Sequence, residues 1–163
     1  MDKIVLFNSS PHRNGFTSRL ALDFLGNHRE NVEFVCLYGA KISPCVGCTY
    51  CKINNKCFIE DDMQKFYFYL ENCPVLIFAA PIYYLTFPAP MKSFLDRTQK
   101  YFFHRFSNNK KRKSYLIVTS GHDDIFSVKL MKKQIEGLCY LIGVKFVNLI
   151  WLKNTDKLQI SDL

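Results

Sequence analysis

Two stretches of this sequence carry side chains that could do chemistry, and the first lies near the N-terminus. An apolar run at residues 4–7 is followed there by the polar segment NSSPHRNGFTS and then by a helical pattern. A helix leaves its first N–H groups unpaired and its dipole positive at that end, so hydroxyl and amide donors placed there favour an anion. We expect the phosphate of a cofactor. The same residues also fit an ordinary strand-to-helix turn with a simple N-cap.

Three residues add to the case for an anion in this loop. Arg13 carries a permanent positive charge, whereas His12 is charged only when protonated and offers a single donor as neutral imidazole. Gly15 can adopt backbone angles that let the chain curl closely round a bound group. The loop is therefore predicted to wrap round its ligand.

The second stretch is a group of four closely spaced cysteines, Cys45, Cys48, Cys51 and Cys57. Their spacing, C-x2-C-x2-C-x5-C, places four soft ligands within thirteen residues. A 4Fe–4S cluster takes four thiolates, and compact loops with two-residue gaps suit it. Tetrahedral zinc also accepts four cysteines, although pairs that lie further apart are its more usual ligands. A loop that holds no metal, or that carries redox-active thiols, is the third interpretation.

The other three cysteines, Cys36, Cys73 and Cys139, fall within a strand or a helical stripe and are predicted to be packed thiols. Seven cysteines without a secretion signal favour a reducing compartment, where close thiols bind metals or do redox chemistry more often than they pair. No run approaches the roughly 20 apolar residues of a membrane span. We therefore expect a cytoplasmic protein without a membrane partner.

The formal charge of +8 is concentrated round the basic run Lys110–Lys113. Such a run could attract phosphate-bearing partners. No recognised nucleic-acid motif accompanies it, so we expect a solvated loop and no nucleic-acid partner.

Strand and helix patterns alternate along the chain. Apolar runs rich in β-branched and aromatic residues predict five strands, at about residues 4–7, 32–37, 75–80, 115–119 and 144–152. Between them, apolar residues at spacings of three and four predict four helices. Their stripes run from Leu20 to Leu25, Met63 to Leu70, Met91 to Phe102 and Val128 to Ile142. The expected start and stop residues are Gly26, Asp61 or Asp62, Pro88 with Pro90, and Gly143.

This alternation with short connections predicts a doubly wound α/β fold, in which helices cover both faces of a five-stranded parallel sheet. A length of 163 residues favours one domain spanning residues 1–163. The one long irregular segment, at about residues 38–60, contains the four cysteines. Ligands of such sheets bind beyond the carboxyl ends of the strands, so the loops at residues 9–18, 81–87 and 120–125 are the expected binding loops.

Four segments together resemble the NAD(P)H-dependent FMN reductase family of flavodoxin-like proteins over nearly the whole chain. They are SSPHRNGFTS, then CVGCTYCKINNKC followed by IEDDM, then APIYYLTFPAPMKSFLDR, and finally VTSGH. The sequence departs from the commoner family pattern at His12, where arginine is frequent, and at Phe16, where one branch has asparagine. The resemblance implies a flavodoxin-like sheet with strand order 2-1-3-4-5.

The resemblance also implies which residues bind FMN. The residues expected to hold the phosphate are Ser10, His12, Gly15, Phe16, Thr17 and Ser18. Those expected to line the isoalloxazine ring are Pro81, Ile82, Tyr83, Tyr84 and Leu85, with Thr119, Ser120 and Gly121 closing its opposite rim. A flat ring needs an apolar or aromatic neighbour on one face and N–H groups near its polar edge. Tyr83 and Tyr84 could instead pack the end of the loop, and residues 122–124 fit a polar turn equally well.

Within this family, the cysteine spacing resembles that of the iron-sulfur flavoproteins. The resemblance implies an FMN-dependent NAD(P)H oxidoreductase that passes electrons to a flavin, a quinone or another small-molecule acceptor. Two alternatives stay open: an iron-sulfur flavoprotein acting in electron transfer, and a non-enzymatic zinc or regulatory module. Hydride transfer to a flavin depends on stacking geometry, so no catalytic side chain is expected. A second subunit is expected to complete the open face of the flavin, in a homodimer or homotetramer.

Overall fold

A five-stranded sheet forms the centre of the fold. The computed structural model describes residues 3–108 and 110–159. The strands are β1 (Ile4–Asn8), β2 (Val32–Cys36), β3 (Val75–Pro81), β4 (Lys113–Thr119) and β5 (Lys145–Leu152). All neighbouring strands are parallel, in the order β2-β1-β3-β4-β5, which confirms the predicted sheet. Residues 1–2, 109 and 160–163 of the predicted domain lie outside the described residues.

Six α-helices connect and cover the strands in the described part of the chain. They are α1 (Phe16–Leu25), α2 (Tyr50–Asn54), α3 (Met63–Asn72), α4 (Ala89–Arg97), α5 (Gln99–Phe103) and α6 (Ile125–Leu141). Short 3-10 turns follow α1 at Gly26–Asn31 and β5 at Thr155–Lys157. Within this part of the chain, no helix is both long enough and apolar enough to cross a bilayer.

Most helix ends agree with the sequence signals. Gly26 and Gly143 have the left-handed φ angles, 51° and 64°, expected after α1 and α6. Asp61 accepts a hydrogen bond from the Met63 N–H at the start of α3. The single helix predicted from Met91 to Phe102 is wrong, because the chain breaks at Thr98 into α4 and α5. The Thr98 hydroxyl donates to the Leu95 carbonyl at 2.6 Å, a local bond that competes with a continuous helix.

The two faces of the sheet are covered unequally. On one face, α3, α4 and α6 pack over a core of aromatic rings, in which Phe7 lies 5.5 Å from Phe78 and 4.8 Å from Phe94 between ring centroids. On the other face, α1 packs over a smaller cluster that includes Leu6 and Ile117. Buried rings of this size each cost about 3–5 kcal/mol when truncated to alanine. The core therefore fixes the carboxyl ends of the strands relative to one another.

The loops that leave those carboxyl ends are where the irregular structure is concentrated. The loops after β1, β3 and β4 meet above the middle of the sheet, as predicted. The segment between β2 and α3, residues 37–62, follows the carboxyl end of β2, which is the outermost strand on one side of the sheet. This segment contains the short helix α2. Both stretches singled out from the sequence thus lie at one edge of the sheet.

Candidate functional site

A cleft of about 1210 Å³ opens at the carboxyl edge of the sheet. The residues that line it come from four loops: Ser10, Pro11, His12, Arg13, Asn14, Gly15, Phe16, Thr17, Pro81, Ile82, Tyr83, Tyr84, Leu85, Thr119, Ser120, Gly121, His122, Asp124, Thr155 and Asp156. Every residue expected from the sequence to bind the cofactor is among them except Ser18. The structure therefore brings the predicted phosphate loop and the predicted ring loop together in one site.

The loop after β1 presents the N-terminus of α1 to this cleft. The helix begins at Phe16, with Gly15 as its N-cap, and none of the described side chains caps it. Its first-turn N–H groups have no carbonyl partner within the helix and carry the positive end of the dipole. Arg13 adds a positive charge beside them. The first turn thus offers backbone donors and the positive end of a dipole, an arrangement that suits an anion.

Buried polar residues hold this loop from behind. Asn8 accepts a hydrogen bond from the Ser10 N–H at 2.9 Å and donates one to the Ser18 hydroxyl at 2.8 Å. Ser18 in turn donates to the carbonyl of His12 at 3.0 Å. Ser18 is therefore buried beneath the loop and shapes it, instead of lining the cleft as expected.

Gly15 is required by a close approach within the loop. A Cβ atom at this position would lie 2.9 Å from the Cβ of His12, which is closer than real Cβ contacts. The Gly15 N–H also donates to the His12 carbonyl at 3.1 Å. The glycine thus lets the loop close into a tight ring at the helix N-terminus.

A direct hydrogen bond joins the phosphate loop to β4. The hydroxyls of Thr17 and Thr119 lie 2.6 Å apart, and both side chains are buried. Because β4 is fixed in the sheet, this bond locates the first turn of α1 relative to the loop after β4. The two walls of the cleft are therefore held at a set separation.

The loop after β3 forms a tight turn that projects over the cleft. The Tyr83 N–H donates to the Thr86 carbonyl at 2.9 Å, and the Thr86 N–H donates to the Tyr83 carbonyl at 3.1 Å. Tyr84 and Leu85 between them both have left-handed φ angles, 45° and 65°. Tyr84 is 97% exposed, so the interpretation of this ring as a packing residue is wrong. An aromatic and an apolar side chain stand free beside the cleft.

The far rim of the cleft is built by the loops after β4 and β5 together. The Thr155 N–H donates to the Ser120 carbonyl at 3.0 Å, and Trp151 donates its indole N–H to the Ser120 hydroxyl at 2.8 Å. A side chain at Gly121 would collide with the Asp156 carboxylate. Thr155 and Asp156 were missed from the sequence. Their position directly after the last strand, at the same edge of the sheet, was the signal that could have found them.

Residues 122–124 divide between the cleft and the helix that follows. His122 and Asp124 line the cleft, whereas Asp123 pairs with Lys153 at 2.6 Å on the surface. Asp124 is the N-cap of α6, since its carboxylate accepts from the N–H of Ser127 at 3.0 Å and from its hydroxyl. These hydrogen bonds lower the pKa of Asp124. Its position is thus explained by helix capping as well as by the cleft.

The four closely spaced cysteines line a second, separate pocket of about 360 Å³. The loop turns tightly round it through Gly47, Thr49 and Asn55, which all have positive φ angles. Burial raises the pKa of the Cys51 thiol, and the charges of Cys57, Cys45 and Cys48 raise it further. The four thiols line one pocket. Within the described residues, no three histidine, cysteine or acidic side chains are gathered closely enough to hold a single metal ion.

A buried ion pair closes the base of the cysteine loop. The Arg97 guanidinium donates to the Asp61 carboxylate at 2.7 and 3.2 Å, and also to the carbonyls of Ser43 at 2.8 Å and Ile59 at 3.2 Å. The side chains of Arg97 and Asp61 are 1% and 8% exposed. Hydrogen bonds from Arg97, and then from the Ser43 and Met63 N–H groups, lower the pKa of Asp61 against the opposing effect of burial. These bonds join the residues just before the cysteines to those just after them.

The remaining sequence predictions concern isolated cysteines and the basic run. Cys73 and Cys139 are buried as predicted, and Cys36 is half-buried. Within the basic run the expectation of a solvated loop is wrong for Arg112, which is 2% exposed. Its guanidinium donates to the carbonyls of Leu70 and Ile142, so this charge fastens α3 to the end of α6.

The sheet order and the cleft at its carboxyl edge define a flavodoxin-like α/β protein. The chain belongs to the family of NADPH-dependent FMN reductases, whose model matches residues 3–136. That membership supports FMN as the cofactor.

Individual relatives carry a more specific name. An iron-sulfur flavoprotein of Archaeoglobus fulgidus is 34% identical over 122 residues, which cover 73% of this chain and 55% of that protein. One of Methanocaldococcus jannaschii is 29% identical over 100 residues, covering 60% of this chain and 52% of that protein. The chain thus spans about half the length of the curated relatives it matches.

Solved structures with the same fold are more distant in sequence. The NAD(P)H:quinone oxidoreductase of Methanothermobacter marburgensis superposes with a TM-score of 0.71 at 16% identity, over 93% of this chain and 83% of that one. An FMN-dependent NADH-azoreductase of Bacillus anthracis gives 0.65 at 13% identity, over 98% and 91%. At these identities the likeness concerns the fold.

Proposed function

We propose that the cleft binds FMN and that the protein is an FMN-dependent NAD(P)H oxidoreductase that delivers electrons to a flavin, a quinone or another small acceptor. The observation that carries the proposal is the meeting, in one cleft, of an uncapped helix N-terminus and an exposed aromatic loop. When bound, FMN supplies a ring that accepts hydride and gives up electrons singly or in pairs. Membership of the NADPH-dependent FMN reductase family agrees with this assignment.

In this proposal, the phosphate loop anchors the cofactor. The first-turn N–H groups of α1 and the Arg13 guanidinium are the donors available to a phosphate group. The Ser10 hydroxyl donates to the His12 carbonyl at 3.3 Å and so helps to hold the loop. The Thr17 hydroxyl shares a hydrogen bond with Thr119, and its backbone N–H is a further donor in the first turn of α1. Internal hydrogen bonds order the loop, so little conformational entropy is lost on binding.

The loops after β3 and β4 would position the ring. Pro81, Ile82 and the exposed Tyr83 and Tyr84 supply a largely apolar wall. Ser120 and Gly121 present backbone groups at the opposite rim, braced by the loop after β5. None of these residues needs to donate or accept a proton at the reacting atoms. The chain's contribution is to orient the ring and leave one face accessible to a donor or acceptor.

We further propose that the cysteine pocket holds a 4Fe–4S cluster, as in an iron-sulfur flavoprotein. The four thiols line one pocket, which fits the donor set, and its other walls are largely apolar. A cluster attaches each thiolate to a different iron, so its ligands need not converge on one point. A single zinc ion would need the thiols to converge on one point, and metal analysis distinguishes this alternative from the cluster. When bound, the cluster supplies one-electron transfer.

A second copy of the chain is proposed to cover the open face of the cleft. Tyr84 and Leu85 stand exposed beside it, and Phe126 at the start of α6 is exposed as well. Exposed apolar side chains next to a ligand site, such as Tyr84 and Leu85, are typical of a protein interface. The proposal is a homodimer or homotetramer in which the partner completes the site.

The test is an absorbance spectrum of anaerobically purified protein, with FMN, iron and sulfide analysis, followed by addition of NADPH or NADH and a quinone. We expect one FMN per chain with iron and sulfide, and bleaching of the flavin absorbance by the nicotinamide. Protein with FMN that NAD(P)H does not reduce would contradict the reductase activity. A colourless preparation containing zinc would contradict both the binding of FMN and the presence of a 4Fe–4S cluster.

A further inference from the structure

Arg97 stands out because its buried guanidinium is not fully satisfied by the protein. Four of its hydrogen bonds reach Asp61, Ser43 and Ile59 through the two terminal nitrogens. Its Nε–H is also buried, yet it has no hydrogen-bond partner among the described residues. An unpaired buried donor of this kind costs free energy and calls for an acceptor that the protein itself does not supply.

The surroundings of Arg97 show where such an acceptor would lie. Arg97 lines the cysteine pocket, and the negative charge that Cys57 would carry favours the protonated guanidinium. The hydroxyl of Tyr67, which donates to the Arg97 carbonyl at 2.7 Å, also lies within reach of the Cys57 side chain. Arg97 and Asp61 together carry no net charge. What the pair adds to the pocket lining is therefore an N–H donor without a partner among the described residues.

We propose that Arg97 is the positioning residue of the cysteine pocket, and that its free Nε–H donates to a sulfur of the cluster bound there. The inference rests on the proposed function of that pocket and assigns a role to a residue outside the four cysteines. It has two parts. The terminal nitrogens close the loop before any cluster binds, and the Nε–H interacts with the bound cluster.

The first part follows from the hydrogen bonds at the base of the loop. Ser43 and Ile59 flank the cysteines, and both are joined to the Arg97–Asp61 pair. Gln64 adds bonds to the carbonyls of Cys57 at 3.3 Å and Ile59 at 2.8 Å. With its two ends joined, the loop has fewer conformations to lose when its four thiolates are ligated.

The second part predicts an effect on the reduction potential. Hydrogen bonds to sulfur stabilise the more negative, reduced state of an iron-sulfur cluster and so raise its potential. Lysine at position 97 could keep the charge paired with Asp61 but could not place a donor at Nε. Loss of a hydrogen bond to a charged group would change the equilibrium constant between reduced and oxidised cluster about tenfold. For one electron, that is a midpoint about 59 mV lower.

The experiment compares wild type with Arg97→Lys. If that variant fails to fold, the double variant Asp61→Asn/Arg97→Gln takes its place, because it removes both charges and leaves neither buried and unpaired. Lys92→Gln is the control, since it removes an exposed cation from the same helix. Each protein is loaded anaerobically with iron and sulfide. Bound FMN and near-UV circular dichroism report the fold, iron and sulfide contents report loading, and a redox titration followed by electron paramagnetic resonance gives the midpoint.

We expect Arg97→Lys to bind FMN as wild type does and to take up less iron and sulfide. At the midpoint potential of the wild-type cluster, the ratio of reduced to oxidised cluster in this variant should be about tenfold lower. Lys92→Gln should match wild type in FMN binding, in iron and sulfide content and in midpoint potential. Full loading with an unchanged midpoint in Arg97→Lys or the double variant would overturn the inference and leave the proposed cluster standing. Wild-type protein that binds FMN but takes up no iron and sulfide would overturn the cluster and this inference together.

Discussion

Gly15 is the residue whose replacement probes the phosphate loop most directly. In Gly15→Ala the new Cβ would lie 2.9 Å from the His12 Cβ, so the ring of backbone at the N-terminus of α1 has to open. We expect FMN affinity to fall about tenfold or more, because the donors shift from their positions. Isothermal titration with FMN measures the change.

A second glycine provides the control for this substitution. Gly137 lies on the exposed side of α6, and a Cβ there meets nothing within 4 Å. Gly137→Ala should raise the free energy of unfolding by about 0.5–1 kcal/mol and leave FMN affinity unchanged. If Gly15→Ala bound FMN as tightly as Gly137→Ala does, the close approach would not matter for binding.

The turn at Tyr84 and Leu85 stores backbone strain beside the cleft. Left-handed angles cost a residue with a Cβ about 1–2 kcal/mol, whereas glycine adopts them freely but loses about 0.5–1 kcal/mol more chain entropy on folding. Leu85→Gly should therefore leave the free energy of unfolding within about 1 kcal/mol of wild type, measured by urea denaturation without cofactor. The same change in a helix, Leu130→Gly, should cost about 1 kcal/mol or more. A larger loss of unfolding free energy in Leu85→Gly than in Leu130→Gly would mean that the turn is not strained.

At the scale of elements, Glu33 connects the edge strand β2 to α3. Its carboxylate accepts from the Tyr69 hydroxyl at 2.7 Å and pairs with Lys65 and Lys3, each at 3.0 Å. The Tyr69 hydrogen bond, followed by those from Lys65 and Lys3, lowers the pKa of Glu33 to about 2. The ionised carboxylate therefore stabilises the fold above its ordinary pKa of 4.5, and that contribution is lost as the pH falls toward about 2.

Urea unfolding near pH 6 and near pH 3 tests this connection. Because the group is partly exposed to solvent, we expect it to contribute only about 1 kcal/mol at the higher pH. Glu33→Gln should be less stable than wild type near pH 6 and closer to it near pH 3. Glu60→Gln, at an exposed position in the cysteine segment, is the control. An equal difference at both pH values would mean that Glu33 does not act through its charge.

The elements that were predictable from the sequence are those whose apolar patterns are continuous. The five strands and the helices at α1, α3 and α6 follow from periodicity, because burial against a sheet imposes it. The helix breaks at Thr98, where the hydroxyl bonds to the Leu95 carbonyl, and a smooth apolar stripe conceals that break. Thr155 and Asp156 reach the cleft only because the chain folds back onto Ser120 after β5. Contacts of that kind depend on tertiary structure, which spacing alone does not encode.

The same distinction applies to the candidate site. The types and spacing of the cysteines indicated a common pocket, which the loop forms. Nothing in the spacing indicated that Arg97, forty residues beyond Cys57, would close that pocket. Ser18 has the side chain expected of a phosphate ligand but lies beneath the loop, since Asn8 and the His12 carbonyl take up its hydroxyl.

At the scale of the whole molecule, the two pockets lie at the same edge of the sheet but share no lining residue. Cys48→Ser should therefore remove most bound iron and leave FMN content unchanged, as measured by metal analysis and by the flavin spectrum. Cys36→Ser, at a half-buried cysteine outside the loop, should retain both. Equal loss of iron from the two variants would place the iron outside the proposed pocket.

In the proposed function, the cleft recognises FMN through its phosphate at the N-terminus of α1. The most direct measurement compares the dissociation constants of FMN and riboflavin for the cofactor-free protein, by quenching of flavin fluorescence. We expect FMN to bind at least about a hundredfold more tightly than riboflavin, since charge-assisted hydrogen bonds to several N–H groups and Arg13 are lost with the phosphate. Equal affinity for the two flavins, or no binding of FMN at micromolar concentration, would contradict it.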